Sequence, residues 1–309
     1  MSQNVELSII EKEQLFNLII SNDIRGIRLI PITSINLNFL FPTKDLYIDF
    51  DSYISPLHLT CYIGKLEIFT YLLTNDNINV NIQTKKEGYT PLMLACYKGN
   101  YEIVRMLLER NADINIPNRI GQLPIVFCFN RIEQKSYLYE NKRIFILLIN
   151  LLLYYKADIN SLFNYDSGYT IIMKLCETEC VDDDKFKTII DILKFLIERG
   201  GDIHIKGKDN KNVYDVLKEN KKIYPKYKED IYFVLNNTKQ NIIYTEESND
   251  NNEYDINNTI NNTLPNNIFK TKHSRNLSTL FGTKKYINKK NELLLQTNDN
   301  DSTNCCLIF

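Results

Sequence analysis

The sequence predicts an all-α chain: helix–turn–helix units joined by hairpin loops and stacked in line as an α-solenoid, followed by a disordered tail. Three observations predict it. Ser55-Pro56-Leu57-His58-Leu59-Thr60-Cys61-Tyr62-Ile63-Gly64 returns 35 residues later as Thr90-Pro91-Leu92-Met93-Leu94-Ala95-Cys96-Tyr97-Lys98-Gly99, and self-similarity at such a period marks a stacked array. The short ending Asn111-Ala112-Asp113-Ile114-Asn115 recurs, after a helical stretch each time, as Ala157-Asp158-Ile159-Asn160 and as Gly201-Asp202-Ile203-His204. Composition then changes near residue 237: from Asn237 to Asn304 asparagine fills 17 of 68 positions and apolar residues are scattered. Such a segment cannot bury enough surface to offset the entropy of ordering it.

Each repeat opening encodes a helix start. Thr90, like Ser55, supplies a side-chain oxygen for an orphan amide of the first turn. Pro91 and Pro56 follow at the first helical position, where a missing N–H is no loss. Gly64 and Gly99 end that helix with the positive φ a reversal needs. The second helix is one-sided: Ile103, Val104, Met106, Leu107 and Leu108 face inward, and Glu102, Arg105 and Glu109 face water.

Ahead of the first clear repeat, Leu7 to Ile30 pairs two helical patterns around Ser21-Asn22-Asp23, and Pro31 to Tyr53 is irregular. Further repeats open near Leu123-Pro124 and at Thr170, and a last pair covers Val213 to Glu219 and Lys228 to Leu235. Counted from Thr90, successive openings lie 33, 47 and 43 residues apart. The excess falls between the two helices of a pair, at Asn130 to Arg143 and Glu177 to Lys187. Neither stretch has a Gly turn, and both are expected to be surface insertions. The helix from Leu147 to Tyr155 is apolar nearly all round and predicts a cover, for which Tyr137, Leu138 and Tyr139 are the nearest candidates. Four recognisable repeats between two degenerate ones suffice for a stable stack. The resulting division is N-terminal capping helices and connection in residues 1–54, and repeats with two insertions and a C-terminal cap in 55–236. An Asn-rich tail with a basic segment (237–304) and a terminal motif (305–309) follow.

The openings at Ser55 and Thr90 resemble the T-P-L-H-x-A signature of the ankyrin repeat, and Asn111 to Asn115 resembles that family's G-A-D-V-N. The resemblance implies recognition of a protein partner through the hairpin tips and the exposed, concave face of the first helices. Carried onto this chain, it puts Gln83, Thr84, Lys85, Lys86 and Glu87 on one tip and Asn118 and Arg119 on the next. Asn164, Tyr165 and Asp166 form a third, and Lys208, Asp209 and Asn210 a fourth. Arg119 and Tyr165 stand out, because Arg and Tyr are enriched at binding hot spots.

Several function classes are disfavoured. A formal charge of −1 argues against general nucleic-acid binding. The three His residues have neither ligand nor triad spacing, and no Gly-rich phosphate loop occurs. The expectation is therefore no enzyme, no cofactor, no metal and no small-molecule substrate. His58 is expected to bond neighbouring loop backbone. Cys61, Cys96 and Cys176 each lie six residues after an opening, where a small apolar side chain suits close helix packing. No signal-peptide pattern opens the sequence, and its longest apolar run, Ile144 to Tyr155, falls short of the ~20 residues of a membrane span. A cytoplasmic protein with free thiols is expected.

Cys306-Leu307-Ile308-Phe309 resembles a C-a-a-X prenylation box, with Phe favouring geranylgeranyl. One lipid holds a protein only marginally, so a second signal is expected. Cys305 and the basic stretch carrying Lys270, Lys272, Arg275, Lys284, Lys285, Lys289 and Lys290 are the candidates; for the basic stretch a solvated linker or a nuclear-import-like patch is the alternative reading. The function that follows is a protein-interaction adaptor tethered to the cytosolic face of a membrane by its lipidated basic tail. The alternative is a soluble substrate receptor or regulatory subunit of an enzyme complex, such as a ligase adaptor or a pathogen effector.

Overall fold

Several helices begin at a side-chain cap. Ser8 begins α1 (Ile9–Ile20) with a capping box, its hydroxyl accepting from Glu11 N–H while Glu11 reaches back to Ser8 N–H. Ser55 starts α3 (Pro56–Ile63) and Thr90 starts α5 (Pro91–Lys98) in the same way, each followed by proline. Gly64 (φ 80°) and Gly99 (φ 76°) close these two helices in the left-handed conformation. The computed structural model describes residues 5–42, 53–129, 137–179 and 183–242, all within a unit spanning Met1–Ser248.

Six helix pairs occupy the described residues. α1 pairs with α2 (Ile24–Arg28), α3 with α4 (Leu66–Leu72), and α5 with α6 (Tyr101–Glu109). α7 (Pro124–Phe127) is followed by α8 (Tyr137–Tyr154), α9 (Ile171–Glu177) by α10 (Asp183–Glu198), and α11 (Val213–Glu219) by α12 (Pro225–Ile242). The second helices form an unbroken layer from α2 to α12, each on the next. First helices stack α1 on α3, α3 on α5, α5 on α7, and α9 on α11. The joint between the fourth and fifth pairs runs mainly through α8 on α10. Among the described residues the strands form two short antiparallel pairs, β1 (Phe41–Pro42) with β2 (Tyr53–Ile54) and β3 (Leu162–Asn164) with β4 (Tyr169–Thr170), so the architecture is all-α.

Side-chain amides knit neighbouring repeats. Asn100 Nδ2 donates to the Cys61 carbonyl at 2.8 Å and Asn220 Nδ2 to the Cys176 carbonyl at 2.9 Å, each satisfying an end carbonyl of the preceding repeat's first helix. Asn81 Oδ1 accepts from Asp113 N–H and Asn160 Oδ1 from Asp202 N–H. Asp113 and Asp202 in turn accept from the amides of Asn115 and His204, two residues on. The recurring Asp-Ile-Asn ending is thus a chain of Asx turns that fixes the spacing of the loops. The N-terminal cap gathers around Phe16, whose ring lies 5.0 Å from Phe41 and 6.1 Å from Phe39.

The described C-terminal part of each insertion is helix rather than loop. α8 begins at Tyr137 and α10 at Asp183, so 137–143 and 183–187 extend the second helices to 18 and 16 residues, against nine in α6. The extension is cheap, because a helix already nucleated adds a hydrogen bond for each further residue fixed. The stretch contains no Gly or Pro to stop it. Lys142 on this extension pairs with Asp191 of α10. On α6, Met106 is half-buried and packs against the core, and Arg105 is held between Glu102 and Glu109 on the partly exposed side. On α8, Ile144 and Tyr154 are exposed and Leu147 and Leu151 half-buried. The side chains of Tyr137, Leu138 and Tyr139, the expected cover, lie outside those described. No described helix is long and apolar enough to cross a membrane.

Candidate protein-docking surface

Every hairpin tip needs one residue of positive φ, and the sequence supplies it at a fixed place. Gly88, Gly121, Gly168 and Asn210 have φ of 74°, 84°, 72° and 63°. Each lies two positions ahead of the next first helix's cap, at Thr90, Leu123, Thr170 and Asn212. At two tips the glycine also makes room for a neighbour. A Cβ on Gly88 would lie 3.1 Å from Arg119 Cγ, and one on Gly121 would meet the Tyr165 ring at 2.8 Å.

These close approaches join the tips into one row. The Lys85 ammonium lies 4.8 Å from the centre of the Tyr53 ring, and Lys85 N–H donates to the Tyr53 carbonyl at 3.2 Å. Arg119 donates its backbone N–H to Glu87 O and its guanidinium to Lys85 O, both at 2.9 Å. Lys208 then covers the Tyr165 ring at 4.4 Å and donates its N–H to Ser167 O at 2.7 Å. Lys85, Arg119, Tyr165 and Lys208 are all exposed, Tyr165 at 52%. Lys86 and Asp166 are exposed beside them. Side chains anchored this way lose little rotamer freedom when a partner docks. Two tip residues do otherwise: Thr84 and Asn118 are buried and build their turns, accepting from Tyr89 N–H and Gln122 N–H respectively.

The concave face differs more from expectation. Residues 56–62 of α3, 91–96 of α5 and all of α7 are buried, so three of the first helices offer no open strip. The open part lies over α9 and α11, where a groove of about 680 Å³ runs from Tyr169 past Lys174 and Glu177 to Lys221 and Lys222. Its floor includes Thr178 and Lys185, both buried. No local spacing announces this groove, since its walls come from separate repeats.

Chemistry at the remaining candidates is structural. His58 is fully buried, its Nε2 2.8 Å from the Tyr89 carbonyl and its Nδ1 accepting from Ser55 N–H at 3.2 Å. A carbonyl only accepts, so the proton of the neutral ring sits on Nε2. Burial lowers the His58 pKa to about 4, against the opposing pull of the Tyr89 bond. Burial also raises the thiols of Cys61 and Cys96, and takes Cys176 to about 12. Thiols in that state are not nucleophiles. Among the described residues no cluster of three His, Cys, Asp or Glu side chains is placed to hold a metal.

Residues 35–118 match the family model described as ankyrin repeats (3 copies). No curated protein matches the chain. Residues 35–118 thus carry ankyrin repeats, which indicate a protein–protein interaction module, and the capped helix pairs that follow continue the same all-α stack.

Proposed function

We propose that the chain is a non-catalytic adaptor that docks a protein partner along its row of hairpin tips and stays on a membrane through Cys306. The observation that carries the docking half is the pre-set row from Tyr53 and Lys85 through Arg119 to Tyr165 and Lys208. It presents aromatic and cationic groups in fixed geometry along one edge, the side-chain types that anchor interfaces. A photo-crosslinking residue at Tyr165 is expected to capture one discrete protein from an extract of the parent cell. Arg119→Ala and Tyr165→Ala, which remove exposed side chains, are expected to weaken that complex by about 2 kcal/mol or more each if both are hot spots. Full affinity in both variants would move the docking surface elsewhere.

The membrane half rests on the residue pattern Cys306-Leu307-Ile308-Phe309, which lies outside the described residues together with Cys305 and the basic segment. A prenyl group adds about 0.8 kcal/mol per buried CH₂ and leaves a marginal anchor, which the lysines and arginine of residues 270–290 reinforce. Cys306→Ser is expected to move the full-length protein from the membrane to the soluble fraction with its repeats still folded. A C-terminal peptide carrying no added mass in prenylating cells would remove this half. The chain would then be read as a soluble receptor or regulatory subunit.

A further inference from the structure

We infer that α1 binds a second copy of this chain, helix against helix in antiparallel register about a two-fold axis. The inference goes beyond the docking and membrane proposals and rests on neither. A terminal unit of a repeat stack needs a polar outer side, because no further unit covers it. α12 keeps to that rule: its exposed residues include Lys226, Glu229, Asp230, Asn236 and Asn237, and Phe233 is the one large apolar side chain exposed there among the described residues. α1 does not. Ile9, Ile10 and Ile20 stand 75%, 68% and 37% exposed. With the exposed Glu13 and Asn17 they share a face of the helix about 100° wide. Leu15, Phe16 and Ile19, outside that face, are the residues buried in the core. Isoleucines gathered on one exposed face mark an interaction surface, where scattered ones would not.

The order of residues along the face says what fits it. Isoleucines stand at both ends, and between them Glu13 and Asn17 lie one turn apart, on either side of the middle. Turned end for end, a second α1 therefore sets Ile9 and Ile10 on the partner's Ile20. It also sets Glu13 on the partner's Asn17, whose amide donates to the carboxylate. Each contact occurs twice, the self-complementarity that a two-fold interface requires. Both polar side chains are available for it: neither makes a hydrogen bond or ion pair among the described residues. A bilayer is a poorer match, because α1 carries Glu11 and Glu13 against Lys12, and anionic headgroups repel the excess. The helix has 12 residues and is about 18 Å long, so the interface is of the small, transient class.

The test is sedimentation of the full-length chain carrying Cys305→Ser/Cys306→Ser, so that neither a lipid nor a tail disulfide joins copies. A monomer–dimer equilibrium is expected between about 1 µM and 1 mM, the range of weak complexes. Ile10→Glu/Ile20→Glu should weaken it about tenfold or more, since carboxylates then meet across the axis. Asn17→Glu should weaken it similarly by facing the partner's Glu13, and Glu13→Lys/Asn17→Glu should restore it. All these variants replace exposed side chains, and their circular dichroism should match the parent. Arg119→Ala/Tyr165→Ala should leave the equilibrium unchanged, which separates it from docking at the tips. A monomer at every concentration, a dimer indifferent to the isoleucine variant, or failure of the charge exchange to rescue Asn17→Glu would each overturn the inference. A monomer whose isoleucines are needed to bind phosphatidylserine vesicles would overturn it too and assign the face to a bilayer.

Discussion

Lowering the pH from about 6.5 to about 4 is expected to destabilise the stack by about 3 kcal/mol through His58 alone. The folded-state pKa, about 4, lies below the ordinary imidazole value of 6.5, so the unfolded chain binds the proton first. The stability this group contributes is fully present above pH 6.5 and drains away as the pH falls through the folded value. Geometry says why the charged form is excluded. Nε2 already carries its proton toward the Tyr89 carbonyl, so a second would go onto Nδ1, where Ser55 N–H now points. Protonation would place a charge inside a site with no water-facing surface, with only the Ser55 hydroxyl, 2.8 Å from Nδ1, left to accept the new N–H. Urea unfolding at pH 7 and near pH 4.5 reads the effect. His58→Gln should be less stable at neutral pH, yet lose less on acidification than the parent. The carboxylates of the two proteins are the same, so the difference between the two pH profiles isolates the imidazole. Parallel profiles would mean that His58 does not titrate as its burial requires.

The same histidine shows how much the sequence disclosed. Its place in the repeat opening predicted a bond to loop backbone, and the ring spans from its own helix cap to Tyr89 in the next hairpin. Caps, prolines, the Gly turns and the inward face of the second helix around Leu107 are equally legible, because each is a local rule. Signals that rest on distance along the chain served less well. The spacing of 47 and 43 residues points to extra material but gives no means of telling a loop from added helical turns. For 137–143 the absence of Gly and Pro was the better clue. The row of tips is half-visible in the sequence: Lys85, Arg119, Tyr165 and Lys208 can be placed on tips, but Tyr53, which begins the row, falls in an irregular stretch. The groove was not visible at all. Lys174 and Lys222 lie far apart in sequence, and only the stacking of α9 on α11 brings them to one trough.

Leu107→Ala is expected to cost about 2–5 kcal/mol, the range for a large-to-small change at a fully enclosed site. Leu72, Leu107, Leu152 and Leu196 occupy one place in four successive second helices, and all four are 0% exposed. They form a column through the layer that runs unbroken from α2 to α12. Repeat stacks are stabilised by nearest-neighbour interfaces, so the position of a cavity decides the shape of unfolding as well as its midpoint. Leu107 lies in α6, with neighbours packed on both sides, and its loss should lower the midpoint of the whole transition. Leu196 lies in α10, beyond the joint that α7 and α9 hardly share and that α8 mainly carries. Leu196→Ala should therefore release the last two pairs first and split one transition into two. The chain has 20 Tyr and no Trp, so single Trp replacements at Tyr62 and Tyr232 give a fluorescence probe in each half, with circular dichroism reporting the total. A negligible cost at Leu107 would mean that this column does not pack the layer together. Coincident transitions at both probes in Leu196→Ala would mean that the contact of α8 with α10 couples the two halves as firmly as any other interface in the stack.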